Sequence, residues 1–382
     1  MGNLLILSTA FLCLCLFVAL LYVLYKYWWV PHRVQFIMNS QGIRGPPYEF
    51  IHGNNKEALQ MQKEASSKPM ALTHDIFPRV MPYDYSCIKK YGKNYLSWNG
   101  VRAQLVITDP ELVKEVLKNS EKAFSKPKPL YFFKKLLGDT IPTINSEKWA
   151  RHRKLANHAF HGESLKIVKQ REEKVMTGEV DSFGHDFLGL LVNAYHDPDE
   201  KNRLSIQDVV DWQDKARAEV VEVFGNQNPN SEGITKLKTI TMIINETLRL
   251  YPPINSVVRK AVRDVQLGNL VLPNCLDLNI RFIALHHDPA LWGDDVHLFK
   301  PERFAEGIAK ATNNNAVAFM PFGMGHRSCV GMSFSITETK IALSMILQRY
   351  TFTLSPTYVH APLPNLSLKP QHGLHLLFHS LD

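Results

Sequence analysis

From Leu4 to Tyr25 the chain runs through 22 residues without a charge, with only Ser8 and Thr9 as hydroxyl breaks. At about 1.5 Å of rise per residue, a helix of that length spans the roughly 30 Å hydrocarbon layer of a membrane. Backbone groups in such a layer can only be paired within the segment, so the run predicts one N-terminal transmembrane helix over residues 1–30. Tyr22, Tyr25, Tyr27, Trp28 and Trp29 cluster at its C-terminal end, where amphipathic rings favour the headgroup layer. The next charges are Lys26, Arg33 and Arg44, with no acid before Glu49, which keeps that flank cytosolic. A cleaved signal peptide carries basic residues ahead of a shorter apolar core, whereas this chain starts Met1-Gly2-Asn3. Pro31 and then Gly45-Pro46-Pro47 predict a stiff, non-helical, proline-rich neck over 31–55.

No later run approaches membrane length, so residues 56–382 read as a soluble body held at a surface. Apolar residues make up 45% of the chain and charged ones 21%, which excludes a disordered or fibrous protein. Apolar positions at three-and-four spacing near 110–120, 146–158, 236–250 and 331–349 predict helices. Strand-like pieces are short: Tyr95 to Trp98, Leu105 to Ile107, Val265 to Leu272 and His372 to His379. The body is therefore mainly α with small β-sheets, and the polar stretches 196–204 and 225–234 read as loops. A net charge of +8 suits nucleic acid, an anionic membrane or an acidic protein, and does not choose among them. The five cysteines show no C-x-x-C pair, so neither a disulfide framework nor a structural zinc site is indicated. His286-His287 could suggest metal, but adjacent residues do not share a helix face and nothing else in the segment completes a ligand set, so the pair reads as a turn.

The most informative residues are Phe322-Gly323-Met324-Gly325-His326-Arg327-Ser328-Cys329-Val330-Gly331, directly before a long amphipathic helix. A thiolate that ligates haem iron needs backbone to approach the porphyrin closely, which glycine permits. Backbone N–H groups and the following helix N-terminus favour the negative sulfur, and Arg327 is placed to meet a haem propionate. The bland alternative is a small cysteine in a glycine turn; six such residues at fixed positions arise by chance on the order of once in a few hundred thousand chains of this length. Gly323-x-Gly325 also begins like a dinucleotide loop, but Ser328 stands at the third glycine position and no βαβ pattern surrounds it.

The pattern F-G-x-G-x-R-x-C-x-G resembles the haem-binding signature of the cytochrome P-450 family, the haem-thiolate monooxygenases. The resemblance implies haem b bound through the Cys329 thiolate, with Phe322, Gly323, Gly325, Arg327 and Gly331 around the porphyrin. It extends to Glu246-Thr247-Leu248-Arg249, about 80 residues upstream and followed by Tyr251-Pro252-Pro253, and to Pro301-Glu302-Arg303-Phe304. By resemblance Glu246, Arg249 and Arg303 form a buried ion triad, while Trp149, Arg153 and Arg259 meet the haem propionates. The Gln41-Gly42-Ile43-x-Gly45-Pro46-Pro47 wording is similar to the plant microsomal branch that acts on terpenoids and hormones.

The family also carries a small-Gly-x-acid-Thr segment on the helix that crosses the haem and relays protons to oxygen. Residues 154–245 contain none, so no catalytic relay residue is identified. The wording on either side implies an incomplete fold without the oxygen-activating helix, with internal losses near 166–171 and 211–212. The function implied is a monooxygenase that inserts one atom of O2 into a lipophilic small molecule. NADPH would act only through an NADPH-cytochrome reductase. The protein would be single-pass in the endoplasmic reticulum membrane with its body facing the cytosol, and no nucleic acid would be a partner. Two alternatives stand beside it: a catalytically inactive truncated membrane protein of the same family, and a haem-thiolate isomerase that does not use O2.

Overall fold

In a computed structural model the chain is described over residues 2–118, 123–129, 131–162, 207–365 and 367–381. The stretches 166–171 and 196–204 lie outside the described residues. The chain divides into two compact units, the first made of Met1–Lys68, Phe77–Pro127 and Ser256–Ala284, the second of Pro69–Ile76, Lys128–Asn255 and Leu285–Asp382.

The first unit begins with the apolar helix Gly2–Leu24, exposed along its described length and long and apolar enough to cross a membrane. It continues through a π-helical turn, Tyr25–Trp29, into a helix over Val30–Ser40, so the neck is helical where the sequence predicted an irregular chain. Proline is tolerated where its missing N–H is not needed, and the wider π-turn lies just ahead of Pro31. The carbonyl that Pro31 cannot satisfy, that of Tyr27, accepts instead from the Tyr48 hydroxyl at 2.7 Å. Gly42, at φ +83°, ends the helix, and Ile43 N–H closes back on the Met38 carbonyl at 3.0 Å. Only beyond it is the neck irregular.

A five-stranded sheet organises the rest of this unit: β1 (Asn94–Asn99), β2 (Arg102–Ile107), β3 (Phe124–Ser125), β4 (Ser256–Ala261) and, after the hairpin β5 (Val265–Leu267) and β6 (Leu270–Leu272), β7 (Asp277–Arg281). The order is β1-β2-β7-β4-β3, with β2 and β7 parallel and the other neighbours antiparallel. Tyr95, Leu105, Val106, Leu278 and Ile280 are completely buried. The single strand expected over 265–272 is two, because Gly268 takes φ +54° and turns the chain. β4 and β7 escaped the sequence reading because Arg259, Lys260, Asp277 and Arg281 interrupt their apolar alternation. Asp84 anchors β1 to β7 by accepting from the Tyr95 hydroxyl at 2.6 Å and Arg281 Nε at 2.8 Å.

The second unit packs three helices, Gln207–Phe224, Lys238–Leu250 and Met332–Arg349, around Ala216, Val220, Ile240, Ile244, Ile341 and Leu347. Asp211 and Trp212 are consecutive residues inside the first of these, which is uninterrupted across them. The Glu219 carboxylate accepts from the backbone N–H groups of Lys238, Thr239 and Ile240, satisfying the exposed donors at the start of the second. The loop expected over 225–234 is shorter than that. Ser231–Lys236 is helical, because the Asn230 side chain accepts from Gly233 N–H at 2.9 Å and caps it. β8 (Tyr350–Leu354) pairs antiparallel with β11 (Leu376–Ser380), and β9 (Pro362–Pro364) with β10 (Leu368–Pro370).

Candidate active site

The cysteine loop folds back on itself through backbone bonds alone. Gly323 N–H reaches the Met320 carbonyl at 3.0 Å, Ser328 N–H that of Gly325 at 3.1 Å, and Cys329 N–H that of Phe322 at 2.7 Å. Gly323 and Gly325 both sit at φ +73°, a conformation that side-chain-bearing residues rarely adopt. The Met332–Arg349 helix starts directly afterwards with Gly331 as its N-cap residue. The Cys329 side chain, carried on this turn, is exposed.

A second helix, Ser146–Gly162, braces the loop. The Arg327 guanidinium lies 3.8 Å from the centre of the Trp149 ring and donates to the Ile144 carbonyl at 3.2 Å and Asn145 Oδ1 at 3.3 Å. Arg153 donates to the Ser328 carbonyl, next to the cysteine, and to Asn157 Oδ1 at 2.9 Å. Gly331 faces the Phe160 ring, 3.6 Å from where a Cβ would sit. Trp149, Arg153, Arg327 and the three glycines therefore meet around one turn. Arg259 belongs to the first unit, where it is buried on β4 and donates to the Val258 carbonyl.

Behind the loop lies the ion triad. Glu246 and Arg249, one turn apart on the Lys238–Leu250 helix, are both completely buried and form a bidentate pair, 2.7 Å on each arm. Arg303 approaches the same carboxylate at 3.5 Å and donates to the carbonyls of Trp292 and Asp295. The sequence reading missed a second acid here: Asp295 pairs with Arg303 at 2.6 Å, and bonds from Lys300 and Arg303 hold its carboxyl down to about 2. Nothing in local spacing singled it out.

The turn expected at His286-His287 holds at His287 alone. His286 ends a short helix, both residues are buried, and desolvation pushes both imidazoles down to about 3. Arg249 donates to the His286 carbonyl at 3.0 Å, and His286 Nε2 accepts from Met320 N–H at 3.0 Å, two residues before Phe322. His286 thus links the triad to the cysteine loop, a role that appears only once residues distant in sequence are brought together.

The chain matches the family model described as cytochrome P-450 over residues 79–187 and 209–378. It belongs to the cytochrome P-450 family. Curated relatives include a cytochrome P-450 of Panax ginseng, 41% identical with 96% of each chain covered. The 11-oxo-beta-amyrin 30-oxidase of Glycyrrhiza uralensis is 32% identical, over 93% of this chain and 94% of its own. A cytochrome P-450 of Arabidopsis thaliana is 31% identical, over 93% of each. The pairing with the ginseng protein runs over 503 positions, more than the 382 residues of this chain, so gaps open on this side of it.

Cytochrome P-450 enzymes are monooxygenases that use haem b on a cysteine thiolate with electrons from an NADPH-dependent reductase. The donor set here fits that group, because an exposed thiol stands on a glycine turn flanked by two arginines. Cys87, by contrast, is buried, and desolvation pushes its thiol up to about 12.

An apolar cavity of about 270 Å³ also opens in the second unit, lined among others by Trp212, Ile240, Tyr251, Leu343 and Phe352. Leu343 is eleven residues into the Met332–Arg349 helix, about 17 Å from its start. The cavity is therefore distinct from the surface that Cys329 presents.

Proposed function

We propose that this chain is a single-pass, membrane-anchored haem-thiolate monooxygenase whose substrate is a lipophilic small molecule of the terpenoid or plant-hormone class. Its electrons come from an NADPH-cytochrome reductase, and its body faces the cytosol from the endoplasmic reticulum. The observation that carries this reading is the exposed Cys329 thiol on a turn whose shape two positive-φ glycines and a bracing helix fix. When bound, haem supplies the reductive activation of O2. Cys329 holds it as a thiolate. Gly323, Gly325 and Gly331 let backbone come close, and Phe322 packs beside it. Arg327 and Arg153, with Trp149, would meet its propionates. Glu246, Arg249 and Arg303 lock the fold behind the loop and take no part in chemistry. The anchor reading rests on the exposed apolar helix and its basic, aromatic C-terminal flank.

The same reading holds that this sequence has lost the stretch that encodes the helix crossing the haem. No small-Gly-x-acid-Thr segment stands between residues 154 and 245. A site without that helix admits water beside the haem and weakens the coupling of oxygen use to substrate oxidation. A carbon monoxide difference spectrum of the reduced full chain tests the central assignment. The expected result is the thiolate-haem band, abolished in Cys329→Ser; a featureless trace from the unaltered chain overturns it in favour of an inactive family member. Reductase and NADPH consumption without product would locate the defect in coupling rather than in haem binding.

A further inference from the structure

His287 is 5% exposed, and its Nε2 lies 2.9 Å from the Leu250 carbonyl. A carbonyl only accepts, so Nε2 carries the proton and Nδ1 is left with a lone pair. That Nδ1 has no hydrogen-bond partner among the described residues, which is costly for an atom so deeply buried. What it faces comes from two other stretches of chain. The His297 ring lies 5.5 Å from the His287 ring, and His297 Nδ1 is 3.7 Å from an Asp75 carboxylate oxygen. One ligand atom from each of Asp75, His287 and His297 falls within 4.8 Å of the others.

We propose that Asp75, His287 and His297 form a binding site for a divalent cation of the zinc class, with three protein ligands and one open position. Two imidazoles and a carboxylate are the donor set that such borderline cations accept and that magnesium and calcium do not favour. His287 is fixed through Leu250 and stays neutral in its buried setting, so its lone pair is ready. Metal–ligand distances near 2.1 Å require ligand atoms about 3.4 Å apart in a tetrahedron, closer than the 3.7 Å between His297 Nδ1 and the Asp75 oxygen. Asp75 and His297 have side chains 37% and 36% exposed, so both can turn inward toward the fixed imidazole. The Arg249 charge, although paired with Glu246, still reaches the His287 imidazole, and a cation bound there would draw its compensation from the Asp75 carboxylate. A bound ion would join residues 75, 287 and 297 beside the Leu250 carbonyl, one residue beyond the triad arginine, as a brace behind the haem loop.

The site is independent of the monooxygenase reading, and its test is built to show that. Zinc binding to the full chain is measured by calorimetry, with the melting temperature followed with and without Zn²⁺. The expected result is one Zn²⁺ per chain and a zinc-dependent rise in melting temperature. Zinc affinity falls at least about tenfold in His297→Ala and in Asp75→Asn, and the rise in melting temperature shrinks with it. Because these side chains are half-exposed, both variants are expected to fold, and the zinc-free melt of each checks it. A double variant, His372→Ala with His375→Ala, removes exposed C-terminal histidines and should bind as the parent does. A Cys329→Ser chain, unable to offer a haem-site thiolate, should also keep full zinc affinity. Unchanged binding in both His297→Ala and Asp75→Asn, or binding lost only in the C-terminal double variant, overturns the proposal. In that case the His297–Asp75 contact is only a surface ion pair.

Discussion

The ion triad and the cysteine loop lie in the same unit and are joined through His286, yet they are built on opposite principles. At the triad the central pair is closed: Glu246 and Arg249 are completely buried, and Arg303 and Asp295 beside them, both partly exposed, pair with one another. At the loop the arginines are engaged with Trp149, Ile144, Asn145 and Ser328, while the sulfur they surround faces outward. A buried charge cluster tolerates no missing partner, so the triad is complete within the chain. A ligating thiol must stay accessible, so the loop spends its bonds on shape and leaves its one reactive atom for something the chain does not itself supply.

Four substitutions sharpen or break that contrast. Glu246→Ala leaves two guanidinium groups facing an empty, dry pocket and should cost about 3–5 kcal/mol, enough to abolish a cooperative urea transition. If that transition survives with little loss, the triad is not the closed lock described here. Gly325→Ala forces a side chain into the left-handed region and should cost about 1–2 kcal/mol in the same assay. Arg327→Ala should lower stability by only about 1 kcal/mol, while haem affinity, followed by haem transfer to an acceptor protein, falls roughly tenfold. Unchanged haem affinity beside the same loss of stability would make Arg327 merely structural. Gly331→Ala, whose new Cβ meets Phe160 at ordinary contact distance, should change stability by less than about 0.5 kcal/mol by thermal melt.

The thiols offer a further check on the same contrast. In the haem-free chain an alkylating reagent should modify Cys329 readily and Cys87 scarcely at all, as read by peptide mass spectrometry. Haem loading should then protect Cys329 alone. Rapid labelling of Cys87 would show that the first unit opens where burial says it is closed.

Several elements were legible before any coordinates, and the reason is local in each case. The helices near 110, 146, 238 and 332 repeat apolar residues at helical spacing, and the glycine-arginine-cysteine run packs its chemistry into ten consecutive positions. The neck was misread because Pro31 was taken as a helix end. The adjoining π-turn, and the Tyr48 hydroxyl that takes over the Tyr27 carbonyl, come from outside the local pattern. β4 and β7 were invisible because their charged residues are sheltered only by pairing with each other and with β2.

His286, His287 and Asp295 show the same limit at the site, since their partners Met320, Leu250 and Arg303 lie on other segments. What the sequence alone determined was the identity and order of the chemical groups: an apolar helix of membrane length, a thiol among glycines, and acids and arginines at helical spacing. Such features depend on neighbours along the chain. What the tertiary structure decided was company. It settled which carbonyl a histidine meets, which acid shares an arginine, and which sulfur is shut away and which is exposed, because burial and pairing are set by segments that meet only when the chain folds.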